Sequence, residues 1–385
     1  MTSDKLTVNE LFSGIGAQRK ALERLEIDHE VVGICEIDKY AIQSYKAIYG
    51  ETKNYGDICT APRLDYADLW TYSFPCQDIS VAGKQQGINE NTRSGLLYQV
   101  QRLLEVAKDE GTLPKYLLLE NVKNLVGKQF KSQFEDWLFY LDQLGYDTYW
   151  QVLNAKNYGI PQNRERVFTI SIRKDLNQSF EFPKAEELKI RLKDVLEDEV
   201  EEKFYLKDSI VSSFVDKIKC QNKYKPDVIN PLKGKTPYGW HFEQAVYDSN
   251  GIARAVKAGG GSGNIPKVIE PKIQQIGNIV STGNWDNPQR GRIYSAEGLS
   301  PALNTVGGGG LEPKILEGIR IRKLTPLETW RLMGFDDEDF YKAQKSGVSN
   351  SQLYKQAGNS IVVNVLEKIF INLLRREKDE INNNN

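Results

Sequence analysis

The sequence predicts an α/β protein: a mostly parallel sheet with helices on both faces and an inserted, smaller, mostly β region. Three observations predict it. Short apolar strands alternate with segments of helical spacing through the first 180 residues. The first strand stops at Ser13-Gly14-Ile15-Gly16, a turn that opens a helix. After about residue 185 helical periods give way to short β-like pieces rich in Gly, Pro, Lys and Asn, and they return at Ile319.

Taken in order, the apolar run 6–12 is the first strand, and 17–25 has helical spacing. A second strand is expected over 31–36, a helix over 41–49 and a strand over 68–74, just before Pro75. Apolar residues at helical intervals mark 96–108, the compact run 116–119 is a strand, and 130–144 is a helix closed by Gly145. Strands at 148–153 and 166–172 complete the set. In the inserted region, Tyr247-Asp-Ser-Asn-Gly-Ile-Ala-Arg-Ala-Val recurs 47 positions later as Tyr294-Ser-Ala-Glu-Gly-Leu-Ser-Pro-Ala-Leu. Two copies are too few for a solenoid and fit paired hairpin units in a scaffold. Near the end, Thr325-Pro326-Leu327-Glu328 has the pattern of a capping box with Pro at the first helical position. A last amphipathic helix spans 361–375. The expected division is therefore 1–185, an inserted 186–340, and 341–385 returning to the first part.

Composition excludes several classes. Hydrophobic residues make up 40% and charged residues 27%, ordinary for a globular chain. No apolar run approaches the ~20 residues of a membrane span, and the first residues lack the pattern of a signal peptide. A cytoplasmic protein without a membrane is expected. Net charge is −1, so the whole-molecule field does not announce a nucleic-acid binder. The stretch Lys217–Lys235 holds six lysines against Asp227 alone and follows an acidic segment, Glu181–Glu202. Such a run is more often a solvated face than a phosphate track, and it serves only as support. Cys35, Cys59, Cys76 and Cys220 form no CxxC pair, and His29 and His241 are the only histidines. Neither a metal site nor a disulfide framework is expected.

Chemistry concentrates at the ends of the predicted strands. Phe12, Gly14 and Gly16 lie where a backbone can approach a ligand over a helix N-terminus, and Glu36 ends the second strand, where an acid meets ribose hydroxyls. One fingerprint glycine is missing, so this alone is weak evidence. Ser73-Phe74-Pro75-Cys76-Gln77 follows an apolar strand. A lone cysteine is more often a small core residue, but its companions alter the balance. Glu120-Asn121-Val122 puts a carboxylate at the same edge, and Arg164 and Arg166 alternate around Glu165 so that one strand face presents both. A thiol, a carboxylate and two guanidiniums along one edge suit covalent catalysis.

With these residues in order, the chain resembles the cytosine-5 DNA methyltransferase family over nearly its whole length. The Phe12–Gly16 turn, Glu36, Asp57, Pro75-Cys76-Gln77, Gly83–Gly87, Thr92–Leu96, Glu120–Val122, Gln162–Arg166, Arg320–Pro326 and Gly358-Asn359-Ser360 carry the likeness. The resemblance implies a Rossmann-like S-adenosylmethionine-dependent methyltransferase sheet with an inserted target-recognition domain. It implies transfer from S-adenosylmethionine to carbon 5 of a cytosine flipped out of duplex DNA. Cys76 would be the nucleophile, Glu120 would engage ring nitrogen 3, Arg166 the base carbonyl, and Arg164 would help hold the flipped nucleotide and its phosphate. Phe12, Gly14, Gly16, Glu36, Ile37, Asp57, Ile58, Pro75, Leu96, Asn359 and Ser360 would bind the cofactor. Ser80, Gly83, Lys84, Gln85 and Arg93, on a closing loop, and Thr305 would contact DNA. The family's Thr-Leu pair is replaced here by Ala302-Leu303 and Ala255-Val256, which makes Thr305 a substitute. The expected partner is double-stranded DNA, with a cognate restriction endonuclease in the same system needing no direct contact, and a monomer suffices. A tRNA cytosine methyltransferase is the second reading, against which the long region between Arg166 and Arg320 argues. A DNA-binding regulator with vestigial machinery is the third; the intact Cys76, Glu120, Arg164 and Arg166 set opposes it.

Overall fold

The computed structural model describes residues 5–75, 93–205, 246–248, 252–256, 267–270, 275–278, 292–294 and 320–374. Strand and helix alternate as β1 (Leu6–Leu11), α1 (Ala17–Arg24), β2 (His29–Cys35), α2 (Lys39–Tyr49) and β3 (Leu69–Tyr72). Then come α3 (Leu97–Asp109), β4 (Tyr116–Val122), α4 (Lys131–Gln143), β5 (Tyr146–Asn154), β6 (Gln162–Asn163) and β7 (Glu165–Arg173). The expected elements are all present, with ends moved by one to three residues where caps decide the boundary. Asp38, for instance, starts α2 earlier than its apolar pattern does, by accepting the N–H groups of Tyr40 and Ala41.

Six strands form one sheet in the order β2-β1-β3-β4-β7-β5. The first four are parallel, and β7 runs antiparallel to both β4 and β5. Alternation along the strands divides the interior in two. Val8, Leu69, Leu118 and Ile170 face one core with Ala21 and Leu22 of α1. Leu11, Trp70, Leu117, Leu119 and Val167 face the other, against Val100 and Leu103 of α3 and Trp137 of α4. Both sheet faces are thus covered, which accounts for the near-continuous apolar runs in β3 and β4.

The described part of the inserted region is β8 (Val246–Asp248), β9 (Ala253–Arg254), β10 (Lys267–Glu270), β11 (Gln275–Asn278), β12 (Arg292–Tyr294) and β13 (Arg320–Lys323). β8, β10 and β13 form a three-stranded sheet, β11 pairs with β12, and β9 runs parallel to β6. Among the described residues from 246 to 323, the regular elements are strands. Most of the repeated unit and the lysines of 217–235 lie outside the described residues.

The chain then forms α5 (Pro326–Arg331), α6 (Asp337–Lys345), α7 (Asn350–Asn359) and α8 (Val363–Leu374). Thr325 and Glu328 make the expected capping box, Glu328 N–H to Thr325 Oγ1 at 3.2 Å and Thr325 N–H to Glu328 Oε2 at 2.8 Å. Leu324, Leu327, Trp330, Met333 and Phe335 share the core of Val8 and Ile170, as do Phe180, Leu192 and Val195. This core therefore draws in residues from both sides of positions 185 and 340. The stretch Asn350–Leu374 is long and apolar enough to cross a membrane by composition, but 67% of its most apolar window is buried in this same core.

Candidate active site

The carboxyl ends of β1, β2, β3 and β4 open on one edge of the sheet, where open α/β sheets bind ligands. At the end of β1, Phe12 and Gly14 take left-handed backbone conformations (φ 58° and 57°). The Phe12 N–H donates to the Cys35 carbonyl at 2.8 Å, tying the turn to β2. Glu36, next in sequence, completes the tie: one carboxylate oxygen accepts the Gly14 N–H at 2.9 Å, the other those of Ile37 and Asp38 at 2.8 Å each. Gly16, at φ 74°, begins α1 under Tyr45 and Tyr49, and the Tyr49 hydroxyl donates to its carbonyl at 2.8 Å.

Below this turn lies Glu10, fully buried. Its Oε1 accepts the Arg19 N–H of α1 at 2.9 Å, and its Oε2 accepts the Tyr45 hydroxyl at 2.7 Å. It caps α1 from the neighbouring strand, a service that Gly16, without a side chain, cannot give. Burial pushes its carboxyl up to about 7, against the lowering effect of those two hydrogen bonds. Sequence reasoning missed Glu10, because its partners, the Arg19 N–H and the Tyr45 hydroxyl, lie on other elements.

Asn54 was missed too. Its amide donates to the Glu36 carbonyl at 3.0 Å, while its oxygen accepts the N–H groups of Glu36 at 3.2 Å and Gly56 at 2.9 Å. It thereby sets the spacing between Glu36 and Asp57. Asp57 is exposed, Ile37 is 71% exposed, and Ile58 is buried beneath the turn. Leu96, on a short 3-10 turn, and Pro75 are half-buried. Asn359 is exposed at the end of α7, and Ser360 is buried beside it. α7 is fastened to α2 through Gln356, which donates to the Tyr40 carbonyl at 2.8 Å and accepts the Ser44 hydroxyl at 3.0 Å.

The reversed direction of β7 brings the second half of the site together. A parallel strand delivers its last residues to the carboxyl edge; an antiparallel one delivers its first. Arg166 of β7 is therefore opposite Val122, two residues past Glu120 on β4. Arg166 Nε lies 3.1 Å from Glu120 Oε1, with Glu120 buried and Arg166 partly so. Burial raises the Glu120 carboxyl above its ordinary value, outweighing the opposing charges of Arg166 and Arg164. Asn121 is buried beside it, and its amide donates to the Phe74 carbonyl at 3.1 Å, which anchors the backbone two residues before Cys76.

Arg164 falls in the step between β6 and β7, and its guanidinium donates to three backbone carbonyls: Val256 at 2.7 Å, Gly358 at 3.1 Å and Ser360 at 2.8 Å. Glu165 turns to Lys123, 3.0 Å away. Cys76, Ser80, Gly83, Lys84, Gln85 and Thr305 lie outside the described residues, as does the Arg93 side chain. Of the two described cysteines, Cys35 is buried and its thiol is pushed up to about 12 by burial. Cys59 is raised as well, by burial and by Asp57, so neither thiol is activated.

A sheet of this topology, with a glycine turn, an acid ending the next strand and a buried carboxylate–guanidinium pair at its carboxyl edge, defines an open α/β fold of the Rossmann-like class. The comparisons narrow the class. A family model described as C-5 cytosine-specific DNA methylase matches residues 6–375. The orphan methyltransferase M.SPBetaI of Bacillus phage SPbeta is 36% identical, over 96% of this chain and 98% of that protein. The type II methyltransferase M.HhaI of Haemophilus parahaemolyticus is 34% identical, over 94% and 93%. The crystal structure of S. pombe Dnmt2 methyltransferase shares the fold, with a TM-score of 0.61 at 20% identity over 97% of this chain and 99% of that one. The chain belongs to the C-5 cytosine-specific DNA methylase family and is a DNA cytosine-5 methyltransferase.

Proposed function

We propose that the protein methylates carbon 5 of a cytosine rotated out of double-stranded DNA, using S-adenosylmethionine and a transient bond between Cys76 and carbon 6 of the base. The observation that carries the reading is the meeting of Glu120 and Arg166 at 3.1 Å, beside an Asn121 that holds the backbone leading to Cys76.

The turn suits an adenosine-containing cofactor. Space is open around Gly14, Ile37 offers an exposed apolar face, and the Glu36 and Asp57 carboxylates flank them. Glu36 would hold the ribose and Asp57 the adenine amino group. Phe12, Ile37, Ile58 and Leu96 would line the ring, while Gly14, Gly16, Pro75, Asn359 and Ser360 would enclose the rest. When bound, this cofactor supplies an electrophilic methyl group.

Carbon 5 of cytosine is a weak nucleophile, and covalent catalysis divides the difficult step. The Cys76 thiolate adds to carbon 6, opening the 5,6 double bond and pushing its electron pair toward carbon 5 and nitrogen 3. Glu120, whose neutral form is favoured by burial, donates its proton to nitrogen 3 and offsets that charge. Arg166 faces the base carbonyl. Carbon 5 gains the methyl group and loses its proton, and elimination restores the double bond and frees the thiolate. Rotating the base out of the stack costs a few kcal/mol, offset by contacts in the pocket. We read the enzyme as a cytoplasmic monomer, since one active site suffices, with any companion endonuclease acting on the same DNA without contact.

Single-base mapping of 5-methylcytosine in unmethylated genomic DNA, with wild type and Cys76→Ser, tests this. Methylation at one short sequence, absent with the variant, is expected. A protein that binds S-adenosylhomocysteine but methylates no DNA would sink the DNA reading and bring tRNA forward.

A further inference from the structure

Gln162 and Arg164 are buried on either side of Asn163, and their side chains converge on one residue of the inserted region. Val256 donates its N–H to Gln162 Oε1 at 2.8 Å, and its carbonyl accepts from Arg164 Nη1 at 2.7 Å. Backbone pairing extends the junction: β6 lies against β9, with Gln162 opposite Ala253, and the Ala253 N–H donates to the Pro161 carbonyl at 2.8 Å. The opposite ends of the same side chains reach the chain after the insertion. Gln162 Nε2 donates to the Leu332 carbonyl at 2.7 Å, and Arg164 Nη2 to those of Gly358 and Ser360. Residues 256 and 332, before and after the return of the chain, are thus pinned at one point. Two positions beyond Arg164 stands Arg166, the partner of Glu120.

We propose that Gln162 and Arg164 form a clamp that sets the register of the inserted region against the base pocket, making both positioning residues for selection of the DNA target. The proposal rests on reading Glu120 and Arg166 as that pocket. A peptide unit whose N–H and C=O are both bonded to buried side chains cannot slide without exposing orphaned polar groups. Displacement of the inserted region is therefore passed to residues 162–166 and on to Arg166. A guanidinium fork fixes direction as well as distance, so Arg164 supplies orientation that a point charge would not.

The test compares full-length wild type, Gln162→Leu and Arg164→Lys. S-adenosylhomocysteine affinity is measured by calorimetry, KM and kcat on unmethylated duplex DNA, and site choice by single-base methylation mapping. For Gln162→Leu, cofactor affinity is expected within about twofold of wild type, since neither the Phe12–Gly16 turn nor residues 358–360 bond to Gln162; Arg164→Lys is read by site choice, because Arg164 also holds the Gly358 and Ser360 carbonyls. KM for DNA should rise roughly tenfold, the scale of one lost buried hydrogen bond. Methylation should spread to sequences one base from the wild-type site. Unchanged KM and site pattern, with only a lower thermal midpoint, would overturn the proposal. Arg164→Lys keeps charge and most of the volume, and decides the matter should Gln162→Leu not fold. Glu120→Gln, run in parallel, separates the two ideas: full activity there refutes the base pocket whatever the clamp variants do.

Discussion

Replacing Glu10 by glutamine isolates a pH dependence built into the floor of the Phe12–Gly16 turn. Glu10 is fully buried, and burial raises its carboxyl from 4.5 to about 7. The groups around it are Tyr45 from α2 and Arg19 and Glu23 from α1. A folded-state value above the unfolded one means that the native protein holds this proton more tightly. The associated stability is present in full below pH 4.5, declines as pH rises toward 7, and is constant beyond. At ~1.36 kcal/mol per pH unit, the loss amounts to about 3 kcal/mol. Urea denaturation of wild type and Glu10→Gln at pH 5, 6, 7 and 8 reads it directly, because every other titrating group is common to both. The wild type should lose about 2.5 kcal/mol relative to the variant between pH 5 and pH 8, the remainder having been lost below pH 5. Glutamine keeps an acceptor for the Arg19 N–H but carries no titrating proton. Equal slopes for the two proteins would refute the argument.

The other predictions concern single contacts. Gly16→Ala places a methyl group 2.6 Å from a Tyr49 carbon and 2.7 Å from a Tyr45 carbon, at φ 74°. It should destabilise by about 1–3 kcal/mol and weaken S-adenosylhomocysteine binding in calorimetry. Arg322 and Glu328 form a fully buried, two-pronged ion pair at 2.7 Å on each arm. Arg322→Met leaves that carboxylate buried without its counter-charge, and should cost roughly 3–5 kcal/mol in urea denaturation. Asn121→Ala frees the Phe74 carbonyl from its anchor. Steady-state kinetics should show kcat down about tenfold, one hydrogen bond's worth of positioning, with cofactor affinity unchanged.

Most of the fold was legible because its strands are buried on both faces and its helices carry a single apolar stripe. The direction of β7 was not, since a period of two reads the same from either end. α6 was also overlooked: its nine residues offer only Phe340 and Ala343 as buried apolar positions, although Asp336 and Asp339 supply a capping box. At the site, Glu36, Glu120 and Arg166 were found as motif residues, and the structure puts them at one edge. Arg164 was grouped with Arg166 by alternation along one strand, but the break at 164 between β6 and β7 gives it different partners. Glu10 and Asn54 act through backbone groups on other elements, and no local pattern records such a partner.

The antiparallel β7 explains why two unrelated demands meet in one segment. Were β7 parallel to β4, its first residues would open at the opposite edge, and Arg166 could not face Glu120. Reversal brings the strand's start to the catalytic edge, and with it the segment just upstream, residues 160–164. That segment is where the inserted region pairs through β9. The start of β7 and the β6 segment just before it therefore hold the partner of Glu120 and the pairing with the inserted region within five residues, from Gln162 to Arg166. A shift in the inserted region on DNA has only those few covalent bonds to travel before it moves Arg166. On this geometry, lengthening the link by one glycine between Arg164 and Glu165 should reduce kcat on DNA about a hundredfold, as misplacement by about 1 Å does. Retention of wild-type turnover by that insertion would show that the two functions are not coupled through this segment.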